Sequence, residues 1–198
     1  MADGRWMLFV DGENFTIRAQ ELFGDLMDFP AMDKFHMKDT FLWLPKTTNA
    51  MKGTSINLDY SPLDFDDFSV RSYYYTAVQG DSDLVSEVEM ALRGFSFSPS
   101  VFKKQKGRSS KGVDISLTVN ALHHAQQDHY DQAVFIAGDK DYIPLFDAIK
   151  RLGKRVFVIF FEQLTPDEIR LTVDGFVDLT AILKDRIGWL RIKSKVDQ

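Results

Sequence analysis

The stretch AVFIAGDKDYIPLFDAIKRLGKRVFVI, residues 133–159, decides the fold class. It opens on five apolar residues, Ala133 to Ala137, turns at Gly138-Asp139, becomes helical in pattern from Tyr142, stops at Gly153 and returns to an apolar run at Val156. Continuous apolar runs bounded by turn residues read as strands buried on both faces. Pro144 suits the first turn of a helix, and Ile143, Phe146, Ile149 and Leu152 share one helical face. Strand, helix, strand is the unit of a parallel sheet, because parallel neighbours need a crossover between them.

The same grammar extends outward. Trp6 to Val10 is a third apolar run, ending in Asp11-Gly12, and the tyrosine-rich segment Val70 to Val78 is a fourth, with partial alternation. Leu84, Val85, Val88, Ala91 and Leu92 repeat at helical spacing after the candidate caps Asp81 and Ser82, and Gly94 is a stop. The expectation is an α/β fold with a mostly parallel central sheet covered on both sides. One segment reads two ways: Val113, Ile115, Leu117 and Val119 alternate as a strand would, whereas Leu117, Ala121 and Ala125 would line a helix. Asn120 to Gln127 has little strand character, so a helix is expected here, with Asp114 in its first turn.

Two stretches fit neither pattern. Between about Gly24 and Ser69 the chain carries Pro30, Pro45 and Pro62 and the acids Asp64, Asp66 and Asp67, interrupted by Phe41-Leu42-Trp43-Leu44. It is expected to be a long insertion, and residues 41–45 or the C-terminal helix to be a contact surface for a protein partner or a second copy. Lys103 to Lys111 reads as a basic, flexible stretch directly before Asp114. From Thr180 to Val196 the apolar residues Ile182, Leu183, Ile187 and Leu190 alternate with Lys184, Arg186, Arg191 and Lys193, the mark of an amphipathic C-terminal helix with a basic outer face.

With 198 residues, 44% hydrophobic and 27% charged, the chain can bury one sizeable core, so a single domain over 1–198 is expected, with a helical extension from about 180. No apolar run approaches the ~20 residues of a membrane-spanning helix, which suits a cytoplasmic protein. The absence of cysteine excludes disulfides, zinc–thiolate sites and thiol nucleophiles. A net charge of -5 argues against coating nucleic acid, though not against an enzyme that visits it. There is no GxxxxGK[ST] loop, no GxGxxG after a strand and no GxSxG elbow.

The chemistry therefore rests on acids. Asp11, Asp114, Asp139 and Asp141 each lie at an expected strand end or helix start, and in parallel sheets ligands bind beyond the carboxyl ends of the strands. Singly, each would be explained as a cap or turn residue. Gathered, carboxylates raise one another's pKa unless a cation lies between them, and hard divalent ions prefer such oxygen ligands. Asn14, three residues past Asp11, can orient a carboxylate or a water. His36, His123, His124 and His129 lack ligand spacing and read as surface or core residues, and Tyr73, Tyr74 and Tyr75 read as sheet packing. The basic segment, with Lys103, Lys104, Lys106, Arg108 and Lys111, together with Lys140, is placed to neutralise phosphate.

FVDGEN at 9–14, KGVDISL at 111–117 and the 133–159 block resemble the signature blocks of the NYN domain family, the LabA-like branch of the PIN-like nuclease fold, and Val173-Asp174-Gly175-Phe176 is similar to its last block. The resemblance spans about residues 5 to 180. It implies a Rossmann-like three-layer sandwich and metal-dependent cleavage of RNA, with Asp11, Asp114, Asp139 and Asp141 holding Mg²⁺ or Mn²⁺ and Asn14 assisting. The chain departs from the family pattern at Ala137, Lys140 and Asn120, where a serine, a small polar residue and an acid are common. The function expected is a ribonuclease that cleaves single-stranded RNA by in-line attack of metal-activated water. The alternative is a catalytically weak or inactive module acting in RNA binding or protein regulation. A phosphatase or receiver-type domain using Asp11 as the phosphorylated residue is the third.

Overall fold

Trp6–Asp11 forms strand β1, and all six of its side chains are buried, which the uninterrupted apolar run requires of a strand with sheet on both sides. In the computed structural model, which describes residues 5–44, 69–104 and 111–196, β1 is followed by helix α1 (Gly12–Met27) and a short antiparallel pair, β2 (His36–Met37) and β3 (Phe41–Leu42). Then come β4 (Ser69–Val78), α2 (Ser82–Gly94), β5 (Ser98–Lys103), α3 (Lys111–Gln126), β6 (Gln132–Ile136), α4 (Ile143–Arg151), β7 (Arg155–Phe160), α5 (Asp167–Thr172), β8 (Gly175–Asp178) and α6 (Thr180–Val196).

The main sheet has six strands in the order β5-β4-β1-β6-β7-β8, and every pairing is parallel. The chain starts at the centre, winds outward through β4 and β5, then crosses to β6 and winds the other way, so strand order reverses beside β1. The three tyrosines of β4 show the two covered faces. Tyr73 and Tyr75 point to α3, bonding His124 at 2.8 Å and Asn120 at 3.2 Å, while Tyr74 points the opposite way against Leu42 and Phe97. Mixed α/β architecture with helices flanking a parallel sheet is thus a Rossmann-like sandwich of the PIN-like type.

Local rules explain the helices. Asp81 caps α2 by accepting from Asp83 N and Leu84 N, and Pro144 occupies the first turn of α4. In α3 the stripe Val113, Leu117, Ala121, Ala125 is buried at a four-residue spacing, whereas Ile115 and Val119, which strand alternation would have turned inward, are exposed. The apolar face of α6 carries Ile182, Leu183 and Ile187 into the core, as its periodicity indicates.

Several readings are corrected. The 24–69 stretch is not free of regular structure: α1 continues to Met27, and the β2–β3 pair belongs to the core cluster through Phe41, Leu42 and Leu44. Trp43 meets the Phe97 ring edge-on at 4.7 Å. Residues 41–44 are therefore core rather than an exposed contact surface, because four apolar residues can bury against a helix and sheet edge supplied from elsewhere in the chain; Pro45 lies outside the described residues. Lys103 is the last residue of β5 and not part of a flexible segment. Leu152 is exposed just past the end of α4, and Leu145 takes its place in the core. His129 is not isolated, since its Nδ1 meets His124 Nδ1 at 2.8 Å.

The Tyr74 hydroxyl fixes β3 to the sheet, accepting from Leu42 N and donating to Leu42 O, each at 3.1 Å in a buried setting. Tyr74→Phe leaves both backbone groups without that partner and should lower stability by about 1–3 kcal/mol, read from urea unfolding midpoints.

Candidate functional site

Asp11 is the last residue of β1 and the N-cap of α1, its Oδ1 accepting from Asn14 N at 3.1 Å. Asp139 follows β6, the strand beside β1, and caps a 3-10 turn by accepting from Asp141 N at 3.0 Å. The ordinary work of a capping aspartate is thus done by both residues. It does not keep them apart, because adjacent parallel strands deliver their carboxyl ends to the same edge of the sheet. Asp114 enters from the first turn of α3. Asp114, Asp139 and Asp141 line one cavity of about 180 Å³, together with Ile115, Thr118, Val119 and Tyr142.

Tyr142 ties Asp11 to this group. Its hydroxyl lies 2.9 Å from Asp11 Oδ2 and 3.1 Å from Asp114 Oδ1. A phenol carries one hydrogen, so it donates to one carboxylate at a time; both short contacts are satisfied together when Asp11 carries a proton. Asp11 is only 3% exposed, and burial, opposed by the bonds from Asn14 and Tyr142, holds its carboxyl up at about 7. Asp114 is also raised, by burial and by the charges of Asp139, Glu13 and Asp141, against the bond from Tyr142. The Tyr142 phenol is pushed far up by burial and by the two aspartates, which keeps it a donor.

Two glycines make the approach possible. A Cβ on Gly12 would lie 1.9 Å from the Tyr74 ring, and one on Gly138 would lie 2.1 Å from the Phe160 ring. Each neighbours a site aspartate, so aromatic packing and carboxylate placement are set at the same points of the chain. Asn14 adds a strap: its Oδ1 accepts from Gly138 N at 3.3 Å, joining the first turn of α1 to the loop after β6. Asn120, where an acid is common in the family pattern, is not among the residues lining the cavity and donates instead to the Tyr75 hydroxyl at 3.2 Å.

Of the basic residues, Lys104 pairs with Glu13, the residue between Gly12 and Asn14, and Lys140 is exposed between Asp139 and Asp141. Lys103 lies at the outer sheet edge in β5. Lys106 and Arg108 fall outside the described residues, as does the side chain of Lys111. Tyr142 and the Glu13–Lys104 pair are the site features that sequence reasoning passed over; adjacency to the GDxD block was the only signal for Tyr142. A phosphoryl-accepting Asp11 is not supported, since its oxygens face Asn14 N and the Tyr142 hydroxyl instead of solvent.

The donors are all oxygen, and their excess negative charge fits a hard divalent cation. Among the described residues no three carboxylates or histidines stand close enough to hold an ion as placed. Tyr142 holds Asp11 and Asp114 on either side of a hydroxyl.

Gly138→Ala should cost about 1–3 kcal/mol, since Phe160 must leave its rotamer to admit the methyl; denaturant unfolding measures this. Asp11 carries a pKa of about 7 in the fold against 3.8 in a free chain. Stability from this group is therefore intact below the lower value and lost as pH rises through the upper one. Metal-free protein should lose melting temperature as pH rises from 3.8 to about 7, and Asp11→Asn should flatten that slope.

A model of the NYN domain family matches residues 5–180. No curated protein matches the chain. Among solved structures, a protein of unknown function from Vibrio parahaemolyticus is similar at a TM-score of 0.58 and 19% identity, with 90% of this chain and 94% of that chain covered, a likeness that bears on the fold alone. With nearly its whole length inside the family match and its acids at the ends of neighbouring strands, the chain belongs to the NYN domain family.

Proposed function

We propose that the protein is a metal-dependent ribonuclease acting on single-stranded RNA at the cavity of Asp114, Asp139 and Asp141. The observation that carries this reading is the delivery of four carboxylates from β1, α3 and the loop after β6 to one edge of the sheet, at the point where strand order reverses. Family membership supports a nuclease class. Asp114, Asp139 and Asp141 would hold Mg²⁺ or Mn²⁺, with Asp11 behind them. Such an ion supplies Lewis acidity toward a phosphoryl oxygen and an activated water for in-line displacement.

The chain's own part is mostly positioning. Asn14 keeps the loop after β6 against α1, so Asp139 stays near Asp11. Tyr142 holds the Asp11 and Asp114 oxygens through its hydroxyl and, as a neutral donor, lessens their repulsion. Lys140, exposed beside the acids, supplies positive charge for a phosphate.

A second reading, a weak or inactive module that binds RNA or regulates a partner, is favoured by two observations. The Tyr142 hydroxyl lies between Asp11 and Asp114, and Asn120 contributes no carboxylate. The two readings part on turnover. Purified protein with Mn²⁺ should cleave a labelled single-stranded RNA, and Asp139→Asn should lower the rate on the order of 10²-fold or more. Unchanged cleavage by Asp139→Asn refutes the assigned centre. Calorimetric Mn²⁺ binding without turnover by the wild type selects the module.

A further inference from the structure

A second, larger cavity is lined in part by Lys104, the partner of Glu13. Its volume is about 370 Å³, and it lies between α1, the turn joining β2 to β3, the end of β4 and the start of α2. Its walls divide by chemistry: Ile17, Met37 and Leu84 are apolar, and Lys38, Asp39, Thr40, Gln79 and Lys104 are polar, with the Asp39 carboxylate engaged by Gln20. The volume falls at the small end of the ~300–1,000 Å³ typical of ligand pockets. An apolar floor with amide and ammonium groups at its rim suits a flat heterocycle carrying a phosphate, with the side-chain amide for the base edge and the lysines for the anion.

The β2–β3 turn is built to hold its shape. Thr40 N donates to Met37 O at 3.0 Å, and Asp39 adopts the left-handed conformation at φ 53, which aspartate tolerates. With its amide oriented to satisfy its neighbours, Gln20 of α1 donates to Asp39 Oδ1 at 2.7 Å and accepts from Asp39 N at 3.1 Å. That contact occupies the Asp39 carboxylate and fixes Lys38 beside the cavity. On the opposite wall Lys104 N donates to Val78 O at 2.8 Å, so the backbone carrying Lys104 is part of the sheet edge. Lys104 also ties this cavity to the start of α1, because its partner Glu13 stands two residues past Asp11.

We infer that this cavity is a nucleotide subsite, seating one base and its phosphate in the RNA strand next to the unit bound at the acids. The inference rests on the ribonuclease reading for the identity of the strand, and the subsite itself is read from binding. Both cavities lie at the carboxyl edge of the sheet, one beyond the ends of β4 and β5 and the other beyond the ends of β1 and β6, and β4 and β1 are neighbours, so one extended strand can enter both. The β2–β3 pair supplies the outer wall, which gives this part of the chain a role in substrate grip.

The test is a titration of the full chain, metal-free so that the acidic cavity recruits no phosphate, with uridine and adenosine 5′-monophosphate and with an RNA pentamer, followed by backbone amide resonances. Signals of Lys38, Thr40, Gln79 and Leu84 should shift, with the pentamer binding more tightly than either mononucleotide. Gln79→Trp, which fills the cavity from an exposed position, and Lys38→Glu should each weaken binding about tenfold, a factor equivalent to 1.4 kcal/mol, with the melting temperature held. In cleavage assays both should raise KM for RNA. Shifts absent from these amides, or affinities unaltered by both variants, overturn the subsite. Equal affinity for mononucleotide and pentamer overturns its assignment to a strand. If RNA is cut and KM is insensitive to Gln79→Trp, the subsite fails and the nuclease stands; if nucleotides bind here and no RNA is cut, the nuclease fails and the cavity stands.

Discussion

A carboxylate at the end of a wholly buried strand governs how the rest is arranged. Asp11 terminates β1, which has sheet on either side, and is almost wholly removed from water. Burying an ionised group uncompensated is expensive, so the surroundings must supply donors, a proton or a cation. The N-terminus of α1 supplies one donor through Asn14 N, and Tyr142 supplies another from the far side of the β6 loop. Each donor ties a different part of the chain to the same oxygen pair. The carboxylate thus organises the carboxyl edge of the sheet while its own charge is still only partly offset.

That partial compensation links structure to chemistry. Tyr142 reaches two carboxylates with one hydrogen, and Asp139, Asp141 and Glu13 add negative charge around them. A fold seeking only stability would not gather these groups at one edge. The glycines flanking the acids point the same way, since Gly12 and Gly138 let aromatic rings close under the site at distances no side chain would allow. Packing below and charge above are set by the same backbone segments. Disturbing one should disturb the other.

Legibility followed the kind of force involved. The buried strands β1, β6 and β7 announced themselves as unbroken apolar runs, and α3 was separable from a strand because Asn120 to Gln127 has little strand character. β5 and β8 did not stand out. Ser98–Lys103 contains a proline and two serines, and Gly175–Asp178 is only four residues long, so neither carries a period. Each is a strand because the neighbouring edge, β4 or β7, offers it a ladder. The apolar run 41–44 misled for a related reason, since its burial depends on Phe97 and the Tyr74 hydroxyl, both far along the chain.

Residue type and spacing alone determined that this chain alternates buried strands with amphipathic helices, and that acids occupy the strand ends and helix starts, because those properties are local and periodic. Which strands are neighbours, and so which acids meet, was settled only in three dimensions, through the reversal of strand order beside β1. Tertiary structure also placed Tyr142 between Asp11 and Asp114, paired Lys104 with Glu13 and opened the second cavity beside Lys104. Contacts between residues so distant in sequence leave no pattern in it, since they arise from the close packing of segments whose own signals are independent.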